Sequence, residues 1–313
     1  MIAFGPVPSR RLGFSIGINH IPPKHCSYSC VYCQVGRTDH LIIKPKEFLS
    51  VKEIVLSVEQ KIIETQNKGQ PIDYLSFVPD GEPTLDAHLG EEIEALKSFG
   101  YPIAVISNAT LIDQAEIRQI LNKANWVSIK IDSVQEEIWR KINRPNRRLN
   151  LEIILKGMLD FAREYSGELV TESMLIEGIN DDEVSNIRLA EFLWKLKPQK
   201  SYLAIPIRPP AENRVFPPDS LTLQKIKQII SSSVPSTICL FDAEEDQFIA
   251  TGEITKDILS ITSVHPIREA ALRKMLSKSG VDWNVVEKLV SEKRLIKQVH
   301  QNIVFYRRNP DHI

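Results

Sequence analysis

Cysteine is scarce in this chain, with four in 313 residues. So few thiols in so long a chain cannot form a disulfide framework, and Cys26, Cys30 and Cys33 lie too close together to cross-link distant elements. Reduced thiols are expected. No apolar run approaches the roughly 20 residues that a membrane-spanning helix needs. The opening Met-Ile-Ala-Phe-Gly-Pro lacks the basic stretch and apolar stretch of an export leader, so a cytoplasmic location is expected, with no membrane partner. Internal repeats, low-complexity segments and long linkers are absent as well. So is a strong charge bias: 39 basic against 40 acidic residues give a net −1, with 42% hydrophobic and 25% charged residues. That composition excludes a disordered or membrane-resident chain.

The cysteines that are present stand as C-S-Y-S-C-V-Y-C, with no fourth nearby. Three thiolates at this spacing can hold three irons of a four-iron cluster and leave one unligated. Structural zinc sites are normally closed by four protein ligands, and electron-transfer clusters usually take four cysteines. An incomplete set therefore points to a small molecule at the open position. The alternative is zinc, with His25 or His20 completing the set, since imidazole suits zinc as thiolate does. Cys239, in the apolar run Ile238-Cys239-Leu240-Phe241, reads as a buried structural cysteine.

Short apolar runs alternate with helical patterns through the first 230 residues, the signature of β/α units and a parallel sheet. Six strands are expected, at Leu12–Ile18, Tyr74–Val78, Ile103–Ile106, Trp126–Ile131, Leu169–Ile176 and Tyr202–Ile207. Helical spacing is expected at Val51–Gln66, His88–Phe99, Asp113–Asn122, Glu136–Lys141, Leu151–Tyr165, Asp182–Leu196 and Leu221–Ser233. Ser50 and Glu53 form a capping box for the first helix. Six right-handed units fit an open partial barrel or a doubly wound sheet, and periodicity alone does not choose. Thr237–Ile249 reads as strand and turn, with a seam near Thr251–Ser263. Two helices follow, Pro266–Ser279 and Trp283–Lys293, then a hairpin over Leu295–Arg308 with its tip at Gln301-Asn302. This order resembles a winged helix, or else a small helical cap on the sheet. Residues 265–308 hold ten Lys and Arg against four Asp and Glu, a local +6, which fits a nucleic-acid contact or a solvated basic face.

The C-x3-C-x2-C pattern with Tyr32 before its last cysteine resembles the signature of the radical S-adenosylmethionine (SAM) superfamily. Asp80-Gly81-Glu82-Pro83 is similar to that family's G-G-E-P segment, with Asp80 replacing the first glycine, and is equally an ordinary turn. Ser107-Asn108-Ala109-Thr110 looks like its T-N-G segment. The resemblance implies a [4Fe-4S] cluster on Cys26, Cys30 and Cys33, with SAM on the open iron. It implies further that Asp80, Gly81 and Glu82 meet the SAM amino group mainly through backbone carbonyls, with Glu82 adding charge and orientation, that Ser107 and Asn108 meet its carboxylate or ribose, and that Asn180 lies near the ribose and adenine. Asp132 is a candidate for ribose or substrate; it shares a strand face with Lys130, and the two either neutralise each other or serve a ligand.

Gly5-Pro6-Val7-Pro8-Ser9-Arg10-Arg11-Leu12-Gly13, Asn143-Arg144-Pro145 and Arg208-Pro209-Pro210-Ala211-Glu212 look like a single-cluster Fe–S oxidoreductase group related to the tRNA wyosine-base synthases. The cysteines for those synthases' second cluster are missing. The expected fold is α/β, a partial (β/α)6 TIM-like barrel over residues 1–235, a connecting strand and turn over 236–262, and a winged-helix-like basic module over 263–313. The expected enzyme is a radical SAM oxidoreductase or transferase that cleaves SAM to a 5′-deoxyadenosyl radical, takes electrons from a reductant such as flavodoxin or ferredoxin, and abstracts hydrogen from a substrate, RNA or protein. The alternatives are a winged-helix regulator with a cluster or zinc sensor, and an activase for a glycyl-radical enzyme.

Overall fold

The computed structural model describes residues 2–241, 248 and 253–309. Its strands in chain order are β1 (Ala3–Ser9), β2 (Gly13–Ile18), the two-residue β3 (His25–Cys26) and β4 (His40–Leu41), β5 (Tyr74–Phe77), β6 (Ile103–Ser107), β7 (Trp126–Lys130), β8 (Glu168–Met174), β9 (Lys200–Ala204) and β10 (Thr237–Leu240). The helices between them are α1 (Val51–Asn67), α2 (Leu89–Leu96), α3 (Ala115–Leu121), α4 (Glu136–Asn143), α5 (Leu151–Glu164), α6 (Glu183–Leu196) and α7 (Ser220–Ser233). The Ser50 capping box forms as expected, with the Ser50 side chain accepting from the Glu53 backbone and Glu53 reaching back.

Eight strands make one sheet in the order β1-β2-β5-β6-β7-β8-β9-β10. From β2 onward every pair is parallel. A doubly wound sheet reverses its strand order at a switch point, whereas here each new strand is laid beside the last. That progression curls the sheet in one sense, and the result is the open partial barrel. Strands covered on both faces read as near-continuous apolar runs, which is why Ile103-Ala104-Val105 is fully buried.

The sheet has two more strands than the six expected. β1 pairs antiparallel with β2, and its Pro6 and Pro8 are tolerated because it is an edge strand. β10 pairs with β9, so the connecting segment drawn from residue 236 begins inside the sheet. The turn expected beyond it falls largely on residues outside those described. The expected seam near 251–263 is instead mostly helix, α8 (Ile254–Val264), because Ile254, Ile258, Leu259 and Ile261 share a face at helical spacing.

After α8 come β11 (Ile267–Arg268), α9 (Glu269–Lys278), α10 (Asn284–Ser291), β12 (Leu295–His300) and β13 (Ile303–Arg308). The last three strands form an antiparallel sheet, and the helices pack a second core around Ile258, Leu272, Met275, Val286, Leu289 and Tyr306. Gln301 and Asn302 both have positive φ, +49° and +62°, as a two-residue hairpin turn requires. Val7 of β1 packs against this second core. The hairpin tip reaches the loop after β9, with His300 Nε2 and Gln301 Nε2 at 3.2 and 3.4 Å from the Pro206 carbonyl.

Candidate active site

The segments expected to hold the cluster and SAM leave the sheet at the carboxyl ends of strands, where loops of a β/α fold converge. The cysteine loop follows β2, Asp80–Pro83 follows β5, Ser107 ends β6, Asp132 follows β7, and Asn180 lies in the turn after β8. The cysteine loop is stitched to its neighbours through backbone. Lys24 N–H donates to Asp80 O at 3.2 Å and Glu82 N–H to His25 O at 3.3 Å, while Val31 N–H donates to Ile142 O at 2.9 Å. A Cβ built on Gly81 would stand 1.9 Å from His25 O, so only glycine allows this approach.

Cys26, Cys30 and Cys33 are unpaired in any disulfide and half-buried in that loop. Asn108 Nδ2 lies 3.5 Å from Cys26 Sγ, and Asn143 Nδ2 lies 3.4 Å from Cys30 Sγ. Burial raises all three thiols; Cys30 is pushed up to about 12 by burial and then by Asp132. Thiols this reluctant to ionise become thiolates only beside strong positive charge, and amide donors aimed at sulfur stabilise the thiolate form. This donor set fits a thiolate-bound metal cluster. Cys239 sits on β10, at the opposite edge of the parallel strands from β2.

The imidazoles that would complete a zinc set are engaged elsewhere. His25 stacks on His40 with ring centroids 4.2 Å apart, and its Nδ1 faces the Pro22 and Pro23 carbonyls. His20 turns into the core, with Nε2 at 3.4 Å from Pro83 O.

Glu82 and Ser107 bind each other. The buried Glu82 carboxylate accepts from Ser107 Oγ at 2.6 Å, Asn108 N at 2.7 Å, Thr84 Oγ1 at 2.7 Å and Thr84 N at 3.1 Å. Their side chains join the loops after β5 and β6. Burial raises the Glu82 carboxyl, and the four donors oppose that shift. In Glu82→Gln an amide NH₂ replaces the oxygen facing Asn108 N–H, donor against donor, and about 1–3 kcal/mol of stability should be lost by chemical denaturation. Asn108 divides its amide between Cys26 and Ser27 on one side and Thr110 on the other. Ala109, where the related segment has glycine, is held at φ +59°.

Asp80 is nearly buried and lifted to about 7 by burial; Asn19 Nδ2 donates to it at 2.8 Å. With Gln34, Val35, Arg307 and Arg308 it lines a cavity of about 260 Å³.

Asp132 is held by three donors. Its carboxylate accepts from Tyr32 Oη, from Asn143 Nδ2 at 2.7 Å and from Met174 N at 2.8 Å, because the chain leaving β7 is enclosed by its neighbours. Lys130 does not neutralise Asp132; it pairs with Glu172 at 3.0 Å and lies 4.7 Å over the Tyr32 ring, and Arg11 pairs with the same Glu172. Asn180 is 3% exposed. It accepts from Ile176 N and donates to the Asp132 and Met174 carbonyls, so its side chain holds the loop's backbone.

Asn143 and Glu212 stand in segments that carried the resemblance, but their contacts were not legible there. Asn143 contacts a thiol from the end of α4. Glu212, 8% exposed, pairs with Arg37 at 2.9 Å and with Arg144, and joins the cysteine loop, the end of α4 and the chain after β9. Arg37 is 72% exposed and Arg144 37%, which limits the worth of each pair. Glu212→Gln should cost about 1–2 kcal/mol, read as a lowered melting temperature.

Residues 21–190 match the Radical SAM superfamily. The chain belongs to that family. Radical SAM proteins are enzymes that use a [4Fe-4S] cluster and SAM, and this chain is one of those enzymes. A UPF0026 protein of Methanocaldococcus jannaschii is 47% identical over 310 residues, covering 98% of this chain and 96% of that one. A radical SAM methyltransferase from Sphaerobacter thermophilus superposes with a TM-score of 0.56 at 14% identity, over 74% of this chain and 67% of that one. TYW1 with a lysine-pyruvate adduct bound superposes at 0.50 and 18% identity, over 70% and 73%. These structural likenesses bear out the partial barrel. No helix among the described residues is long and apolar enough to cross a membrane.

Proposed function

We propose that the chain cleaves SAM at a [4Fe-4S] cluster held by Cys26, Cys30 and Cys33 and directs hydrogen abstraction at an RNA substrate. The observation that carries the first half is the set of three free thiols on one loop at the carboxyl end of the sheet, two of them facing amide donors. When bound, the cluster and SAM supply the electron transfer and the 5′-deoxyadenosyl radical. The chain's own residues hold and orient. Backbone of Asp80 and Gly81, pressed against the cysteine loop, meets the SAM amino group; Asn108 and Tyr32, beside the thiols, meet the rest of SAM. Glu82, Ser107, Asp132 and Asn180 act as positioning residues, each fixing one of those loops. A one-electron protein such as flavodoxin or ferredoxin in the cytoplasm supplies the reductant.

The RNA half rests on charge and placement. The order helix, strand, helix, helix, strand, strand supports a winged-helix reading, the segment carries the local +6, and Arg307 and Arg308 line the cavity that reaches Gln34 and Val35 beside Cys33. Phosphate contacts by such residues make affinity fall steeply with salt.

Protein reconstituted with iron and sulfide without oxygen, then reduced, should form 5′-deoxyadenosine from SAM. RNA should raise that turnover, and added salt should abolish the increase. Stimulation by a glycine-rich protein and not by RNA would favour the activase. Zinc retention without SAM cleavage would favour the regulator.

A further inference from the structure

Apart from the cysteine loop, three titratable side chains meet inside the core. His20 follows β2, Asp86 closes the short 3₁₀ turn Pro83–Leu85, and Glu92 lies in the first turn of α2; their exposures are 0, 1 and 0%. One ligand atom from each lies within 4.8 Å of the others. Four of their polar atoms have no hydrogen-bond partner among the described residues: His20 Nδ1, Asp86 Oδ2 and both Glu92 oxygens. The remaining atoms are engaged. His20 Nε2 lies 3.4 Å from Pro83 O, which puts its proton on that nitrogen and leaves Nδ1 a lone pair. Asp86 Oδ1 accepts from His88 N at 2.8 Å.

The charges around these carboxylates are mostly of the wrong sign. Glu92 feels Asp86 and Glu91, and Asp86 feels Glu47 besides the imidazole of His88. Burial and Asp86 push Glu92 up to about 9, burial lifts Asp86 to about 6, and burial holds His20 down at about 4 against the Pro83 and Ile18 carbonyls. Two carboxyl groups enclosed together with unpartnered oxygens are costly unless something positive lies between them.

We propose that His20, Asp86 and Glu92 form a buried divalent-cation site, with zinc the best-fitting ion. One imidazole nitrogen and two carboxylates match zinc's ligand preferences, and two negative charges balance one dication. The Nε2 contact to Pro83 is the outer-shell bond that commonly fixes a metal-bound histidine. The site has a structural purpose. Asp86 and Pro83 end the segment that begins with Asp80-Gly81-Glu82, so the ion ties the end of β2, that segment and α2 into one brace behind the proposed SAM contacts. The inference is independent of the cluster assignment.

The test uses full-length protein, dialysed against EDTA without oxygen and then titrated with zinc chloride or manganese chloride. Elemental analysis should find one added ion per chain, and the melting temperature should rise by about 5–10 °C at a hundredfold excess over Kd. A variant with Cys26, Cys30 and Cys33 all changed to Ala should keep both responses, which assigns the ion to this site. Asp86→Asn and Glu92→Gln should lose the ion and melt below the metal-loaded parent. Without a metal site these two changes remove uncompensated buried carboxylates and should raise the melting temperature. Failure of the parent to take up either ion, together with stabilised amide variants, overturns the proposal.

Discussion

A Cys30→Ala variant will form no 5′-deoxyadenosine above background under conditions in which the reconstituted parent does. Three thiols are the minimum that leaves a single iron open, and among the described residues neither Cys239, which lies on β10, nor His25, which is stacked on His40, is placed to replace the missing one. The fold should survive, because the loop is held by backbone bonds from Lys24, Glu82 and Val31 that do not involve the sulfur. The variant should therefore melt close to the parent while losing the visible absorption of the cluster. Cys239→Ala is the control, expected to keep both absorption and product. Product formed by Cys30→Ala at the parent's rate would end the assignment.

Gly81→Ala will weaken SAM binding by about a hundredfold. The added methyl would stand 1.9 Å from His25 O and 2.9 Å from Ile21 Cγ2. A flexible side chain could yield, but the nearest atom is backbone of the loop that carries the thiols. The two loops must separate, and overpacking of this kind costs about 3 kcal/mol, close to two powers of ten in affinity. Equilibrium binding of SAM to the reconstituted protein measures it. A Kd within threefold of the parent would show that this approach is not part of the SAM site.

Much of the framework was legible because its signals are local. The capping box at Ser50, the helices at 151–164 and 183–196, and the hairpin tip at Gln301-Asn302 each depend on a few neighbouring residues. The cysteines and Asp80-Gly81-Glu82 could be placed at strand ends for the same reason. What the sequence hid was the direction of side chains. The resemblance puts the Glu82 segment beside SAM, but only the structure shows that four donors from two loops enclose the Glu82 carboxylate. Asp132 and Asn180 likewise face partners 42 or more residues away, which no spacing rule reveals. β1 was missed because prolines argue against a strand unless its edge position is known, and the meeting of His20 with Asp86 and Glu92 depends on three separate elements.

The carboxyl-terminal segment touches one margin of the main sheet and a loop near the other. Its core takes in Val7 of β1, and its hairpin grips the chain just after β9, next to β10. An open barrel leaves two rows of unsatisfied backbone at its margins, the template on which chains adhere to one another. A shortened protein ending near residue 241 should thus be sticky in solution as well as lacking a basic face, and its tendency to precipitate would report on the clasp rather than on substrate recognition.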